Sequence, residues 1–389
     1  MIKARDLVPF LIFLLIFPLA PLLSGCGEML KPENRGSLAA GAVVAGLFAY
    51  AIKESPPATL VTIASTSTTT TGTVTTTSGG TTTTVSGGGA GDGSGGIGGV
   101  GAVWTKVASG EFSGREGHGL VAYGSQLFLL AGYDGHNYLN DVWQSADGAT
   151  WTQATAEAGF SKRYGAACAA FDDGLGQKLW LIGGVAGAKY NNEIWKSSDG
   201  AAWTLAGYAP FSSREAAVIL NYNSKLWIIG GLATGGGYKN DVWSSADGVT
   251  WTQATAAASF SPRYRHAGAV FYNQMWITGG YDGANTLNDS WSSTDGINWT
   301  KAAGSMFSTR EGHCAVVYSG RIWVIGGQNR ATVYNSVWSS VDGSDWTLVA
   351  GNATFSPRYR HASELFNNKI WLTGGTNSTS YRDDAWAVQ

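Results

Sequence analysis

An arginine recurs six times in the C-terminal three quarters of this chain, each time at the end of the pattern Phe-Ser-x-Arg. Guanidinium groups bind carboxylates through paired hydrogen bonds, so a ring of them could form an anion site. A residue that every copy of a repeat carries is, however, what the scaffold itself requires. We therefore interpret the six as structural anchors between neighbouring units. They are Arg115, Arg163, Arg214, Arg263, Arg310 and Arg358.

The residue after each of these arginines alternates between glutamate and tyrosine. The alternation implies a two-unit precursor copied three times, and it could place carboxylates and phenols around one face. Because the positions are periodic rather than singular, they do not mark out a dedicated acid and nucleophile, and we predict no catalytic residue. The six positions are Glu116, Tyr164, Glu215, Tyr264, Glu311 and Tyr359.

Residues that break the repeat are more informative about function, because the scaffold does not require them. Arg265 and Arg360 stand two places after the repeat arginine in units four and six only, and Glu364 is the only acid in the core run of a first strand. Convergence of Arg360 with Glu364 would indicate a carbohydrate site. The loops after the second strands supply further candidate ligand-binding residues, namely Tyr133, His136, Tyr281, Asp282, Asn329 and Arg330.

Histidines and cysteines give no metal or disulfide pattern. His118, His266, His313 and His361 share one repeat position, so they belong to different units and are expected to form hydrogen bonds at strand starts. We predict no metal and no cofactor. Cys168 and Cys314 lie in apolar runs far from each other and are expected to be small core residues.

Three independent sequence markers each occur six times, which indicates six repeated units. The first is Trp-Thr, the second is Phe-Ser-x-Arg, and the third is a glycine that ends an apolar run. Within a unit, short runs rich in Trp, Ile, Val and Tyr alternate with Gly, Asp and Asn, which is typical of strands. In the fourth unit we predict strands at 267–272, 274–278, 289–293 and 298–302. The Trp-Thr markers stand at Trp104, Trp151, Trp203, Trp251, Trp299 and Trp346.

Two parts of the unit have an evident structural role. The second strand carries a bulky residue, as at Phe128 and Trp180, that is expected to lie between neighbouring units. The turn before the fourth strand reads Ser-x-Asp-Gly-x-x-Trp, in which aspartate accepts backbone hydrogen bonds and glycine supplies positive φ. The repeat region begins with a fourth-strand marker at Trp104 and ends after a third-strand marker at Trp386. The strand at its N-terminal end should therefore complete the last unit.

The segment from Arg263-Tyr264-Arg265-His266 through the run ending in Gly279-Gly280 to Trp291 resembles the Kelch repeat. The resemblance implies an all-β fold, a six-bladed β-propeller over residues 102–389, with ligands bound by the strand 2–3 and strand 4–1 loops. Ala131 in place of a glycine, and the missing histidine in units two and three, depart from the pattern.

Other propeller families offer alternative functions. Mixtures of Arg, Glu and Tyr resemble those of the six-bladed sialidases, but the Ser-x-Asp-Gly turn lacks one residue of their Asp-box. Nothing resembles the copper site of galactose oxidase. A carbohydrate-active enzyme similar to the Kelch-type sialic acid mutarotases remains the main alternative to a protein- or glycan-binding module, and a passive structural surface protein is a second alternative.

The N-terminal quarter predicts a location. Residues 1–25 have the basic start and apolar run of an export signal, and Leu23-Ser24-Gly25-Cys26 resembles the lipobox of bacterial lipoproteins, which implies a lipid on Cys26. Residues 26–55 would be membrane-proximal, and 56–101 form a Thr/Ser/Gly-rich linker expected to be a disordered stalk. The expected location is the bacterial cell envelope, in the outer membrane where one exists, with the propeller periplasmic or extracellular. The net charge of −2 gives no reason to expect nucleic acid as a partner.

Overall fold

The computed structural model describes residues 76–78, 81–83 and 103–389. The chain divides into two units, Met1–Gly89 and Ala90–Gln389. In the first, strand β1 (Thr76–Ser78) pairs with β2 (Thr81–Thr83), where the sequence predicted no regular structure. Threonine is β-branched and favours strands, which accounts for the difference. The predicted export signal and Cys26 lie outside the described residues. In the part of the chain that the structure describes, no helix has the length and apolar character needed to span a membrane.

The second unit is all-β and its six blades are antiparallel sheets, five with four strands and one with five, which confirms the predicted six-bladed propeller. Blade 1 contains β4 (Gly119–Tyr123), β5 (Gln126–Tyr133), β6 (Tyr138–Ser145) and β7 (Thr152–Thr155). Blade 2 contains β8 (Ala167–Asp172), β9 (Gln177–Ile182), β12 (Glu193–Ser197) and β13 (Thr204–Tyr208), with a small hairpin of β10 (Val185–Ala186) and β11 (Lys189–Tyr190). Blade 3 contains β14 (Arg214–Glu215), β15 (Val218–Tyr222), β16 (Lys225–Ala233), β17 (Gly237–Ser245) and β18 (Thr252–Thr255), with a 3₁₀ turn at Thr234–Gly236.

The remaining blades follow the same plan. Blade 4 contains β19 (Ala267–Phe271), β20 (Gln274–Tyr281), β21 (Thr286–Ser293) and β22 (Thr300–Lys301). Blade 5 contains β23 (Cys314–Tyr318), β24 (Arg321–Ile325), β25 (Val337–Ser340) and β26 (Thr347–Ala350). Blade 6 contains β27 (Ala362–Phe366), β28 (Lys369–Thr373), β29 (Asp384–Val388) and the N-terminal strand β3 (Thr105–Ser109).

The N-terminal strand closes the ring, as predicted. Strand β3 pairs with β29, with Ser109 opposite Asp384 and Thr105 opposite Ala387. Just before β3, the amide of Trp104 donates to Oγ1 of Thr354 at 3.1 Å. Blade 6 therefore joins the two ends of the propeller, and within residues 103–389 each of the six blades has its outer strand.

Strand bounds in blade 4 differ from the prediction in one instructive way. The glycine pair was expected to end the second strand at Thr278, whereas β20 continues to Tyr281 and pairs there with Thr286 of β21. The register shifts between Thr278 and Gly280, and Gly279 has a φ of 55°, so the glycines form a bulge within the hairpin. The fourth strand is shorter than predicted, at Thr300–Lys301.

Large aromatic residues of the second strands pack between blades, as predicted. Trp371 of blade 6 lies on Gly148 of blade 1 so closely that a Cβ there would come within 2.2 Å of the indole ring. Phe128 of blade 1 meets Gly200 of blade 2 in the same way. These glycines belong to the Ser-x-Asp-Gly turns, where Oδ1 of Asp147 accepts from the amide of Thr150 at 2.7 Å. The turn thus shapes its hairpin and leaves room for the neighbouring blade's aromatic ring.

Candidate functional site

The six repeat arginines are buried and fully engaged within the scaffold. The guanidinium of Arg115 donates to both oxygens of Asp141 at 2.6 and 2.8 Å, and to the carbonyl of Ala131 at 2.9 Å, all in blade 1. Its own carbonyl accepts from the amide of Gly375 in blade 6. Each arginine therefore binds its own blade through the side chain and the preceding blade through the main chain. The acceptors of the six are Asp141, Glu193, Asp241, Asp289, Ser336 and Asp384.

A closed ring of six backbone hydrogen bonds surrounds the propeller axis. In each blade, the residue two places after the repeat arginine donates its amide to the carbonyl of the equivalent residue in the preceding blade, at 2.7–3.2 Å. We call these the ring residues. All six have a left-handed backbone, with φ between 50° and 65°. They are Gly117, Gly165, Ala216, Arg265, Gly312 and Arg360.

Two of the ring residues are arginines in a conformation that favours glycine. Arg265 has a φ of 53° and Arg360 a φ of 52°. A bulky residue in this region of backbone space is strained by roughly 1–3 kcal/mol, and such strain concentrates at functional sites. Since Gly117, Gly165 and Gly312 form the same ring without a side chain, the scaffold does not need arginine here.

Each ring arginine stacks on the tyrosine before it and reaches the glutamate of the next blade. Arg360 places Nη1 2.6 Å from Oε1 of Glu116. Arg265 places Nη1 3.6 Å from Oε2 of Glu311, and its guanidinium lies 4.4 Å from the ring centre of Tyr264. The alternating glutamates and tyrosines are held in place by reciprocal backbone hydrogen bonds to the ends of the second strands, as between Glu116 and Tyr133.

Glu215, the third of the alternating glutamates, does not pair with a ring arginine. The position that would supply one is Gly165, and a Cβ there would lie 3.1 Å from Oε2 of Glu215. Glu215 is 4% exposed, and its Oε2 has no hydrogen-bond partner among the described residues. Burial raises the pKa of this carboxyl, while the charges of Arg265 and Arg360 oppose the shift.

The ring residues and their neighbours line a partly open cavity of about 150 Å³, formed by all six blades. Four histidines form part of its wall. Burial lowers the pKa of His118 to about 3, and its Nε2 lies 2.9 Å from Oγ1 of Thr373 in the preceding blade. These imidazoles are neutral parts of the wall. Over residues 103–389, no group of three or more potential ligands is placed to hold a metal ion.

Comparison with known proteins identifies the repeat. Residues 201–375 match the family model of the KLHDC2/KLHL20/DRC7 Kelch-repeats domain. The propeller is of the Kelch type. None of the curated proteins searched matches the sequence. Kelch propellers generally bind proteins, and this one carries its exceptional side chains at one end of the channel.

Several loop residues predicted from the sequence lie around this end of the Kelch propeller. The guanidinium of Arg330 lies 3.7 Å from the ring centre of Tyr281, and its Nε is 3.7 Å from Oε1 of Glu311. Tyr133 packs 6.3 Å from Tyr164. The structure thus groups these three loop residues with the ring arginines.

The other loop candidates lie in tight turns. Oδ1 of Asp282 accepts from the amides of Ala284 and Asn285, so this carboxylate shapes its own loop. Asn329 does the same for the amides of Ala331 and Thr332. His136 is exposed in the corresponding turn of blade 1, where Asp134 accepts from its amide.

Arg360 and Glu364, whose convergence would have indicated a carbohydrate site, line different cavities. Glu364 lines a second cavity of about 540 Å³, which the first strands form further along the channel. Arg360 lies in the ring before β27 begins at Ala362, whereas Glu364 lies within that strand. Burial raises the pKa of Glu364 to about 7, and its Oε1 accepts from the amide of Leu365.

The glutamates and Tyr164 were treated as repeat residues and set aside, although they complete the site. The signal was present in the sequence. Arginine follows tyrosine in units four and six, and glycine follows it in unit two, so one of three equivalent positions is incomplete. Only the structure shows that each ring arginine pairs with the glutamate of the next blade.

Proposed function

We propose that this chain is a membrane-anchored binding module that holds a protein partner at the ring end of its Kelch propeller. The observation that carries the proposal is the pair of strained arginines, Arg265 and Arg360, at ring positions where glycine would suffice. Their guanidiniums, the intervening carboxylates and the loop residues Tyr281 and Arg330 give this end a chemical character that the repeat alone does not require.

The size of the cavity favours a partner's side chain over an enclosed small molecule. Ligand pockets that bury a whole small molecule have volumes of roughly 300–1,000 Å³. The cavity at the ring is about 150 Å³ and partly open, which suits one or two side chains of a partner seated on the surrounding loops. Loops on a rigid scaffold are where binding residues concentrate.

Capture of partners by the full chain tests the proposal. Arg330 is 55% exposed at the ring end, so Arg330→Glu alters the binding surface with little effect on the core. Leu175 is 86% exposed between β8 and β9, at the opposite end of blade 2, and Leu175→Ser is the matched control. We expect proteins crosslinked to the wild-type chain to be lost with Arg330→Glu and kept with Leu175→Ser. The reverse pattern would place binding at the other end and refute the proposal.

Attachment through Cys26 is part of the proposal and rests on the Leu23-Ser24-Gly25-Cys26 motif. A lipid on this residue, followed by the Thr/Ser/Gly-rich linker, would let the propeller reach partners away from a bacterial membrane surface. We expect the wild-type chain to incorporate labelled fatty acid and to fractionate with membranes, and Cys26→Ser to lose the label. Label retained by Cys26→Ser would contradict the assignment.

A second candidate is a carbohydrate-active enzyme similar to the sialic acid mutarotases, and Glu215 favours it. A buried carboxyl whose pKa is raised, beside the phenol of Tyr164, is a suitable acid–base group. The test is thermal unfolding and mutarotation assays with a panel of sugars that includes sialic acids. Sugar-dependent stabilisation together with turnover that Glu215→Gln abolishes would establish this function, and absence of both would reject it.

A further inference from the structure

Three equivalent positions exist around the ring, and two of them are filled by the chain itself. In blades 4 and 6, an arginine follows a tyrosine, lies over that tyrosine, and pairs with the glutamate of the next blade. At the third position, blade 2 supplies Tyr164 and blade 3 supplies Glu215, but the residue between them in the ring is Gly165. The pattern therefore lacks one guanidinium.

The surroundings of the incomplete position suit a cation. Oε2 of Glu215 is buried and without a hydrogen-bond partner among the described residues, and the side chain lines the cavity at the ring. Tyr164 stacks on Tyr138 at 5.8 Å, and the guanidinium of Arg360 lies 5.8 Å from its ring centre, so this aromatic ring already borders one cation. Burial, and then the charge of Glu215, raise the pKa of Tyr190 on the small hairpin of blade 2. A carboxylate beside tyrosine rings attracts a guanidinium through an ion pair and cation–π contact.

The cations around the cavity lie nearest to the other two glutamates, although the charges of Arg265 and Arg360 also act to lower the pKa of Glu215. Arg360 is committed to Glu116 at 2.6 Å, and Arg265 lies on the side of Glu311, which Arg330 also approaches. Glu215 is thus the carboxylate of the three that has no cation within 4.0 Å among the described residues. An unpaired buried carboxylate is costly, and a ligand that brings the opposite charge recovers that free energy.

We propose that this position accepts an arginine side chain of a partner protein, which stacks on Tyr164 and pairs with Glu215. The inference rests on the proposed binding function and specifies the chemistry of its ligand. Arginine fits better than lysine because each of the two filled positions uses a planar guanidinium that lies over a tyrosine and pairs with a glutamate. The bound partner would complete the threefold arrangement of the ring.

Calorimetric titration of the full chain with N-acetyl-arginine amide tests the inference. Two analogues are the controls. The citrulline analogue has the same shape as the arginine probe but no charge, and the lysine analogue has the charge but no planar guanidinium group. We expect the arginine probe to bind at least tenfold more tightly than either analogue. Equal binding of the citrulline probe, or no heat with the arginine probe, would overturn the inference, and equal binding of the lysine probe would overturn the assignment to a guanidinium.

Two variants locate the probe. Glu215→Gln removes the charge with little change of shape, and Gly165→Arg, at a φ of 65° close to that of the two ring arginines, supplies the missing group from within the chain. Both are expected to weaken arginine binding at least tenfold. Glu364→Gln changes a half-buried carboxyl group that lines the 540 Å³ cavity, and is expected to leave binding unchanged. Binding that survives Glu215→Gln would refute the site.

The two proposals fail in different ways. If partner capture is lost with Arg330→Glu but persists in both Glu215→Gln and Gly165→Arg, the binding face stands and the arginine pocket is wrong. If the arginine probe binds as described while capture is unaffected by Arg330→Glu, the pocket stands and the binding face is wrong.

Discussion

Arg310 donates from Nη2 to the hydroxyl of Ser336 at 3.1 Å, at the position where the other five repeat arginines each meet a carboxylate. Burial without a counter-charge lowers the pKa of Arg310 to about 10. In the same blade, the indole Nε1 of Trp338 is buried with no partner among the described residues, whereas Trp143 donates to Asp141 at 2.8 Å. Blade 5 therefore lacks an anchor that its neighbours have.

Ser336→Asp is expected to raise the free energy of unfolding by about 1–3 kcal/mol. The carboxylate would accept two charge-assisted hydrogen bonds from Arg310 and one from Trp338, as in the other blades. Denaturant unfolding at pH 7 measures the change. Ser336→Asn is the control, because it offers one neutral acceptor. A gain from Asn equal to that from Asp would show that the charge contributes nothing.

Removal of residues 103–109 is expected to lower the melting temperature by about 10 °C or more. The deletion removes β3 from blade 6 together with Trp104, which is 2% exposed in the core. Loss of a buried Trp alone costs roughly 3–5 kcal/mol. Deletion of residues 90–96, of the same length, is the control. If both deletions shift the melting temperature equally, closure by β3 does not contribute to stability.

The stability of the propeller is expected to fall as the pH drops below about 6.5. The pKa values of His118, His266 and His361 are lowered to about 3 by burial, and that of His313 lies well below its ordinary value. Below 6.5 the unfolded chain binds protons that the folded chain does not. Each histidine therefore adds a slope of about 1.4 kcal/mol per pH unit.

His266→Ala tests this assignment because blades 2 and 3 carry alanine at the same position, Ala166 and Ala217. Denaturant unfolding of the variant between pH 6 and 4 should show a slope smaller by about 1.4 kcal/mol per pH unit. A slope equal to that of the wild-type chain would mean that His266 titrates normally in the folded state.

Glu364→Gln is expected to stabilise the chain at pH 8 and to have little effect at pH 4.5. Burial raises the pKa of this carboxyl to about 7, so the folded chain holds a proton that the unfolded chain releases above about 4.5. The stability that Glu364 provides at low pH is lost as the pH rises through 7, by up to about 3 kcal/mol. Unfolding free energies of both chains at the two pH values decide the matter. If the variant and the wild-type chain differ in unfolding free energy by the same amount at pH 8 and pH 4.5, the pKa of Glu364 is not raised.

The repeat made the fold predictable, whereas the site depends on contacts between blades. The Trp-Thr and Phe-Ser-x-Arg markers each recur once per blade. The first Trp-Thr marks a fourth strand that precedes the first complete blade, which predicted closure by β3. Periodicity within a blade cannot show that residue 360 meets residue 116, 244 positions away and across the closure. Arg360 and Glu364 are close in sequence but line different cavities, which the repeat pattern does not show.

The ring of hydrogen bonds has a consequence for how recognition could change over time. Each ring residue uses its amide and its carbonyl on its two neighbours, so the circle has no free end. The width of the opening that the ring residues surround is therefore set by the main chain alone. Only the side chains of the ring residues can select between ligands that reach this opening. Specificity at the opening can vary through substitutions at six positions while its diameter stays constant.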